Sequence, residues 1–425
     1  MVDDRAAWVT AAERHVTPER LADATAAMVD IASPTGEERA LAVHLAAEMS
    51  RVGLDGRVQP VDDSMANAHG RLAGTGDRPS LLLYAPIDTV TAGREDEDIP
   101  WAGPSLRADM RAEATVADGL VVGLGAHNPK GHGACVLVAA EALAAAEIPL
   151  AGDLLVGFGA GGMPSNRRRP DLADGHGAGC AALVHHLAPD RAVIAKTGWA
   201  VSWEEVGLTW FEVEVEGTHT YVGSRHLLPY RNAIADAGRV IAGLEAWFPQ
   251  WAEEHRDGLV APQGVVAAIE GGWPRMPAFT TSVCRFWVDL RLSPRTTPAE
   301  AADAFGAEVD RLGRQTGATV HWEQTVAIPG STTSTDDEVI QAAIGAWESL
   351  EGRPHEPITG LSGATDANIL RGLGVPTARV GLPKVGPDLL DLDFQLGMNA
   401  VAVADLERLT RLLIRTAVEL CGAEP

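Results

Sequence analysis

Val122-Gly-Leu-Gly-Ala-His-Asn-Pro-Lys-Gly131, read together with Leu81-Leu-Leu-Tyr-Ala-Pro-Ile-Asp-Thr-Val90 upstream, decides the fold. Ser80 to Ala85 is a continuous apolar run, the mark of a strand covered on both faces. It stops at Pro86-Ile87-Asp88. Further along, a Gly-Ala-x-Asn-x-Lys-Gly turn opens a helix of small residues from Ala134 to Ala146. A buried strand followed by a glycine turn into a helix announces an α/β protein.

Working outward, Thr17-Pro18-Glu19 reads as an N-cap with proline at the first helical position, starting a helix that runs to about Ile31. Thr35-Gly-Glu-Glu38 has capping-box spacing and is expected to begin a second helix ending near Gly53. Asp153 to Phe158 and Ala192 to Ala195 read as further strands, so the sheet is mainly parallel with helices on both faces. The pattern then changes. Phe211-Glu-Val-Glu-Val-Glu-Gly217 alternates strictly, as a half-exposed antiparallel strand does. Helix Asn232 to Trp247, strands Val265 to Ile269 and Ser282 to Leu292, helix Pro298 to Leu312 and strand Thr319 to Glu323 follow. That is the ferredoxin-like order of an independent α+β unit. The first pattern resumes with helices at Asp337 to Ser349 and Asp366 to Leu370, strand Thr377 to Val380 and helix Val403 to Cys421. The expected domains are therefore residues 1–204 with 325–425, and an inserted 205–324.

A chain of 425 residues with 46% apolar content can bury large cores. Acidic residues outnumber basic ones by 58 to 34, and a net charge of −24 repels phosphate backbones, so nucleic acid is not an expected partner. Cys135, Cys180, Cys284 and Cys421 form no Cys-x-x-Cys pair and suggest neither a disulfide framework nor a thiolate metal site. No signal peptide is visible, and no apolar run reaches the ~18 residues of a membrane span. A cytoplasmic protein without membrane contact is the expectation.

The layout resembles the di-zinc aminoacylase/carboxypeptidase family, the group of acetylornithine deacetylase, succinyl-diaminopimelate desuccinylase and carboxypeptidase G. Supporting motifs run in the same order: Ser33-Pro-Thr-Gly-Glu-Glu38, Asn232-Ala-Ile234, Ile269-Glu-Gly-Gly272, Val288-Asp-Leu-Arg291, Gly363-Ala-Thr-Asp366 and Gly374-Val-Pro-Thr377. The resemblance implies a zinc-exopeptidase-like domain with an inserted lid that carries a homodimer contact. It also implies two metal ions within ~3.5–4 Å, held by histidines and carboxylates, with a separate carboxylate as base.

At the matching positions this chain departs from the family. The His of the first motif is Pro86, and Asp88, which would orient it, remains. The bridging Asp is Asn128. The paired glutamates fall near Gly161-Gly162, and no carboxylate occurs between Leu154 and Pro170. The next ligand becomes Lys196-Thr197, and the last His falls near Gln395, followed by Met398-Asn399; no His occurs after His355. The lid His becomes Tyr221, with His219 two residues earlier. On these substitutions no metal and no cofactor is expected.

What remains suggests chemistry of a different kind. Lys196 stands where a zinc ligand would, and a cation there can replace the metal's charge, bind a carboxylate, act as a base or nucleophile, or form a salt bridge. Lys196, Asp88, Asn128, Asp366, Tyr221 and His219 are the candidate catalytic residues. Lys130, His127, Arg291, Gln395 and Asn399 are candidates for holding a small-molecule substrate, with Lys384 and Arg167-Arg168-Arg169 further out. His127, His132 and His219 are the residues from which a single-metal site would be rebuilt. Three readings stay open. One is a metal-independent enzyme acting on a small amide-bearing amino-acid derivative by cyclisation, dehydration or amide rearrangement, in specialised metabolism. The second is a non-catalytic relative that binds a ligand or partner. The third is a residual amidohydrolase with one metal.

Overall fold

The computed structural model describes residues 4–165, 176–385 and 393–424. By its internal contacts the chain divides into two compact units, residues 1–203 with 333–358 and 365–425, and residues 204–332 with 359–364.

The first unit is built on a six-stranded sheet. Its order is Arg57–Pro60, Ala66–Leu72, Leu154–Gly159, Leu81–Pro86, Arg191–Ala195, Thr377–Val380. The last four run parallel, and the Ala66–Leu72 strand joins Leu154–Gly159 antiparallel, with Arg57–Pro60 outside it. Alternation along a strand sends neighbouring side chains to opposite faces. Leu81, Leu83 and Ala85 enter one core with the Pro18–Val29, His132–Ala145, Glu338–Glu351 and Val403–Cys421 helices. Leu82 and Tyr84 enter the other, against Cys180, Leu183, Ala367 and Leu370. The two antiparallel edge strands were not foreseen, because Ala66-Asn-Ala-His-Gly-Arg-Leu72 mixes small and polar residues without a clear period. The Pro18–Val29 helix matches its signals. Thr17 accepts from Arg20 N, and Pro18 opens the helix.

The second unit is an antiparallel sheet in the order Gly264–Gly271, Val283–Leu292, Gly207–Glu216, Val320–Ile328, with helices Ala233–Glu254 and Pro298–Thr316. This is the ferredoxin-like arrangement. Phe211, Val213 and Val215 point inward as their alternation requires, and Phe211 stacks on Phe305 with ring centroids 4.0 Å apart. Asn232 caps the first helix, and Thr297 with Glu300 forms a capping box on the second. All four cysteines are buried and unpaired. Among the described residues no helix is long and apolar enough to cross a membrane.

Candidate active site

Three parallel strands end side by side in the first unit. Pro86 pairs with Gly159, and on the other side Tyr84 pairs with Ile194, so Lys196 follows at the level of Pro86. Ligands of open α/β sheets bind at these carboxyl ends. Pro86 offers no N–H, but the ladder continues because Ile87 N donates to Gly159 O at 2.9 Å.

Around these ends lie three buried carboxyl groups. Asp88 is 3% exposed. Its Oδ2 accepts from Thr35 Oγ1 at 2.9 Å and from Met163 N at 2.8 Å, whereas Oδ1 is buried without a hydrogen-bond partner. Glu38 Oε1 accepts from Gly36 N and Gly161 N, both at 2.9 Å, and Oε2 is buried without a partner. Burial, reinforced by the Asp88 charge, pushes the Glu38 carboxyl up to about 8. Asp366 Oδ2 accepts from Tyr84 Oη at 2.6 Å. Burial and the Asp366 charge hold the Tyr84 phenol well above its ordinary range, so it stays a donor.

Two glycines make this convergence possible. A Cβ at Gly159 would fall 1.9 Å from Tyr84 Oη. A Cβ at Gly162 would lie 3.0 Å from Asp88 Oδ1, 3.0 Å from Asp366 Oδ2 and 3.1 Å from Pro86 Cβ. A side chain at position 162 would therefore meet two carboxylate oxygens and the Pro86 ring.

The basic groups gather by the Arg191–Ala195 strand. Half-buried Lys196 follows it and donates its backbone N–H to Val380 O at 3.1 Å. His127 and His132 are fully buried, their rings edge to face at 5.3 Å. His127 Nε2 sits 3.0 Å from Pro383 O, and a carbonyl accepts only, so this nitrogen carries the proton. Leu382 N donates to His132 Nε2 at 3.1 Å, so there the proton is on Nδ1. Burial, with the charges of Lys384 and Lys196 adding to it, lowers His127 to about 4; burial, then His127 and Lys196, keep His132 well below its usual value. Both rings are neutral in ordinary buffers.

Several residues expected at the substrate have other duties. Lys130 is buried, and its Nζ donates to Ile31 O at 2.8 Å, clamping the end of the Pro18–Val29 helix. Asn399 is buried as well; its Oδ1 accepts from Gly125 N at 2.8 Å and its Nδ2 faces Asp109 Oδ2 at 3.3 Å. These two side chains, like His127, are buried and hydrogen-bonded within the protein. Asn128 Nδ2 lies 3.6 Å from Met398 Sδ, and its Oδ1 is buried without a partner. Gln395 is half-buried in the short Phe394–Asn399 helix, and Lys384 lies over the Phe394 ring. In the second unit, Arg291 pairs with Asp289 and reaches Ser362 O. His219 Nδ1 pairs with Thr280 O, and Tyr221 is exposed beside Phe279. Arg167, Arg168 and Arg169 lie outside the described residues.

Sequence reasoning missed Thr35, Glu38 and Tyr84. Thr35 and Glu38 do not form the expected capping box. The helix begins at Arg39 without a side-chain cap, and both side chains turn toward Asp88 and Gly161 instead.

The donors at the family's ligand positions are a proline, an asparagine amide, two glycines, a lysine and a glutamine. None is an imidazole or a carboxylate. Among the described residues no group of three or more His, Cys, Asp or Glu side chains is placed to hold a metal ion.

A family model described as Peptidase family M20/M25/M40 matches residues 82–419. Among curated relatives, the N-formyl-4-amino-5-aminomethyl-2-methylpyrimidine deformylase of Bacillus subtilis is 27% identical over 259 residues, covering 58% of this chain. That alignment spans 56% of the relative's own length. The protein of the same name in Halalkalibacterium halodurans is 24% identical over 367 residues, covering 80% of this chain and 79% of that one. Among solved structures, human carnosine dipeptidase 1 superposes with a TM-score of 0.73 at 14% identity, covering 98% of both chains. Bacillus subtilis YXEP, described as a dinuclear metal binding peptidase, gives 0.60 at 13% identity, covering 94% of this chain and 97% of its own. At these identities the structures establish the shared α/β fold.

Proposed function

Since the chain belongs to peptidase family M20/M25/M40, we propose that it acts on the amide of a small N-acylated amine or amino-acid derivative, using buried carboxylates where its dinuclear relative uses metal ions. The observation that carries this reading is Asp88 Oδ1, a buried carboxylate oxygen without a partner, facing the same point as Asp366 Oδ2 at the carboxyl ends of the sheet. An unsatisfied buried oxygen is costly, and a group that supplies it with a proton gains that free energy back.

In this reading Asp88 accepts a proton from the group attacking the amide carbonyl. That group is water for hydrolysis, or a nitrogen or oxygen of the substrate itself for cyclisation or rearrangement. The proton taken up by Asp88 then passes to the departing atom, while Asp366 is held in place by the Tyr84 hydroxyl. Lys196, half-buried at the neighbouring strand end, is the cation that would stabilise an oxyanion or a substrate carboxylate. The named relatives act on an N-formyl amine, which sets the first substrates to try.

The test is turnover of N-formyl and N-acetyl amines, followed by mass spectrometry so that hydrolysed and cyclised products are both seen, with and without a chelator. Unchanged turnover under chelation is expected, with a loss of about 10²–10⁴-fold in Asp88→Asn. Turnover that vanishes on chelation and returns with zinc would overturn the reading.

A second reading, a non-catalytic ligand binder, is favoured by one fact: Lys130, His127, His132 and Asn399 are all committed to internal hydrogen bonds. Ligand binding with no turnover of any amide would select it. A single-metal site finds less support, because among the described residues no group of three or more His, Cys, Asp or Glu side chains is placed to hold a metal ion.

A further inference from the structure

We infer that the cleft over the Val403–Cys421 helix is a second small-molecule site, and that it takes an organic monocarboxylate. The carboxylate sits in the fork of the Arg78 guanidinium and the apolar body lies along the helix. The site is apart from Asp88 and Asp366 and does not depend on their roles.

The cleft belongs wholly to the first unit, and three helices shape it. Val403–Cys421 is the floor, and Asp4–Glu13 and Glu338–Glu351 are the walls. Arg415 ties the three together. Its Nε donates to Glu13 Oε1 at 2.7 Å on one side, and its Nη1 to Ser349 Oγ at 2.8 Å on the other. The walls present small residues to the cleft, Ala6 on one and Ala342, Gly345 and Ala346 on the other, and about 770 Å³ stays open between them. A Cβ at Gly345 would meet nothing within 4 Å. Small-molecule pockets span ~300–1,000 Å³, so the cleft is of ligand size.

Charge selects the ligand. Arg5 pairs with Glu419 at 3.0 Å, Arg415 with Glu13 at 2.7 Å and Glu338 with Arg191 at 3.0 Å, so these lining charges are balanced within the protein. Arg78, half-buried, is different. Its Nη1 donates to the carbonyls of Glu419 and Gly422, at 3.3 and 3.2 Å, where the floor helix ends. Among the described residues it has no carboxylate partner, although acidic residues outnumber basic ones by 58 to 34 in the chain. Nε and Nη2, the two-pronged edge of the guanidinium, are left over, and that edge matches a carboxylate in two parallel bonds. One uncompensated positive charge suits a monoanion better than a dianion. Val9, Val418 and Leu420 line the same cleft and give a hydrocarbon body surface to cover.

The position is remote from the candidate active site. Arg78 precedes the Leu81–Pro86 strand, whereas Asp88 follows its other end, roughly 17–20 Å away along a strand of this length.

Calorimetric titration of the full chain with phenylbutyrate, its neutral amide phenylbutyramide and inorganic phosphate, at matched ionic strength, tests the site. Phenylbutyrate is expected to bind at one site per chain, with the amide and phosphate each at least about tenfold weaker. Arg78→Gln should weaken phenylbutyrate by about tenfold or more. Gly345→Leu alters no charge and grows into open space, and should weaken it as much by filling the cleft. Leucine is a better helix former than glycine, and thermal melts establish that each variant is folded. Asp88→Asn should bind phenylbutyrate as the wild type does. The wild-type comparison of three probes requires no variant. Absence of phenylbutyrate binding, or equal binding of the acid and either other probe, would overturn the inference. Full affinity in Arg78→Gln or Gly345→Leu would overturn it too, as would a loss confined to Asp88→Asn.

Discussion

Tyr84 Oη donates to Asp366 Oδ2 at 2.6 Å across 282 positions of sequence, joining the central strand to the turn that opens the Ala367–Gly372 helix. Both residues are buried, and Gly159 leaves the space that the tyrosine oxygen occupies. Removing the donor leaves a buried acceptor oxygen without that partner. Tyr84→Phe is therefore expected to destabilise the fold by about 1–3 kcal/mol, read by denaturant unfolding. Gly159→Ala attacks the same bond by crowding and should cost about 1–3 kcal/mol or more. An unchanged midpoint in Tyr84→Phe would show that the hydroxyl is replaceable by water.

The Glu38 carboxyl gives a pH signature. Its folded value, about 8, lies above the unfolded value near 4.5. Between those limits the folded state keeps a proton that the unfolded state releases, so this contribution is full below pH 4.5 and lost as pH rises through 8. Glu38→Gln cannot titrate, and its Oε1 can still accept from Gly36 and Gly161. The melting temperature of the wild type should fall relative to Glu38→Gln between pH 5 and 9. Parallel curves would show that Glu38 is charged throughout.

Lys130 has the opposite sign. Burial lowers its amine from 10.5 to about 7. From pH 7 to 10.5 the unfolded chain holds more protons, so the penalty for a buried charge is fully present below pH 7 and relieved as pH rises. Wild type should gain stability relative to Lys130→Met across that window, with the hydrogen bond to Ile31 O retained by the neutral amine. Thermal melts of both proteins from pH 6 to 10 decide it; a constant difference refutes it.

Asn399 separates Gly125 from Asp109. In Asn399→Asp the oxygen that accepts from Gly125 N survives, but the amide facing Asp109 Oδ2 at 3.3 Å becomes a second carboxylate. Asp109 is already paired with the Arg107 guanidinium, so the second buried carboxylate should cost about 1–3 kcal/mol near neutral pH, with part of the loss recovered in acid. Equal stability at pH 5 and pH 8 would contradict this.

The strands were legible because Leu81–Ala85 and Leu154–Phe158 are unbroken apolar runs, and the family resemblance singled out Pro86, Gly161, Gly162 and Lys196, which follow strand ends. The acidic cluster was less visible. Thr35 and Glu38 have the residue types and spacing of a capping box, and nothing local distinguishes that use from anchoring a distant aspartate. Tyr84 sits within an apolar strand, where an aromatic ring reads as core; its hydroxyl acquires meaning only when Asp366 arrives from far along the chain. The internal bonds of Lys130 and Asn399 were hidden for the converse reason. Polar side chains near a glycine turn look available for ligands, and only burial reveals that they satisfy backbone groups.

The burial of Cys135, Cys180, Cys284 and Cys421 has a practical side. With every native thiol shielded, and with Cys135 and Cys421 pushed up to about 12 by burial, alkylation of the folded protein should be slow. A cysteine engineered at an exposed position then becomes the fast-reacting group, and a dye or spin label can be installed on either unit without first stripping the chain of its own sulfur.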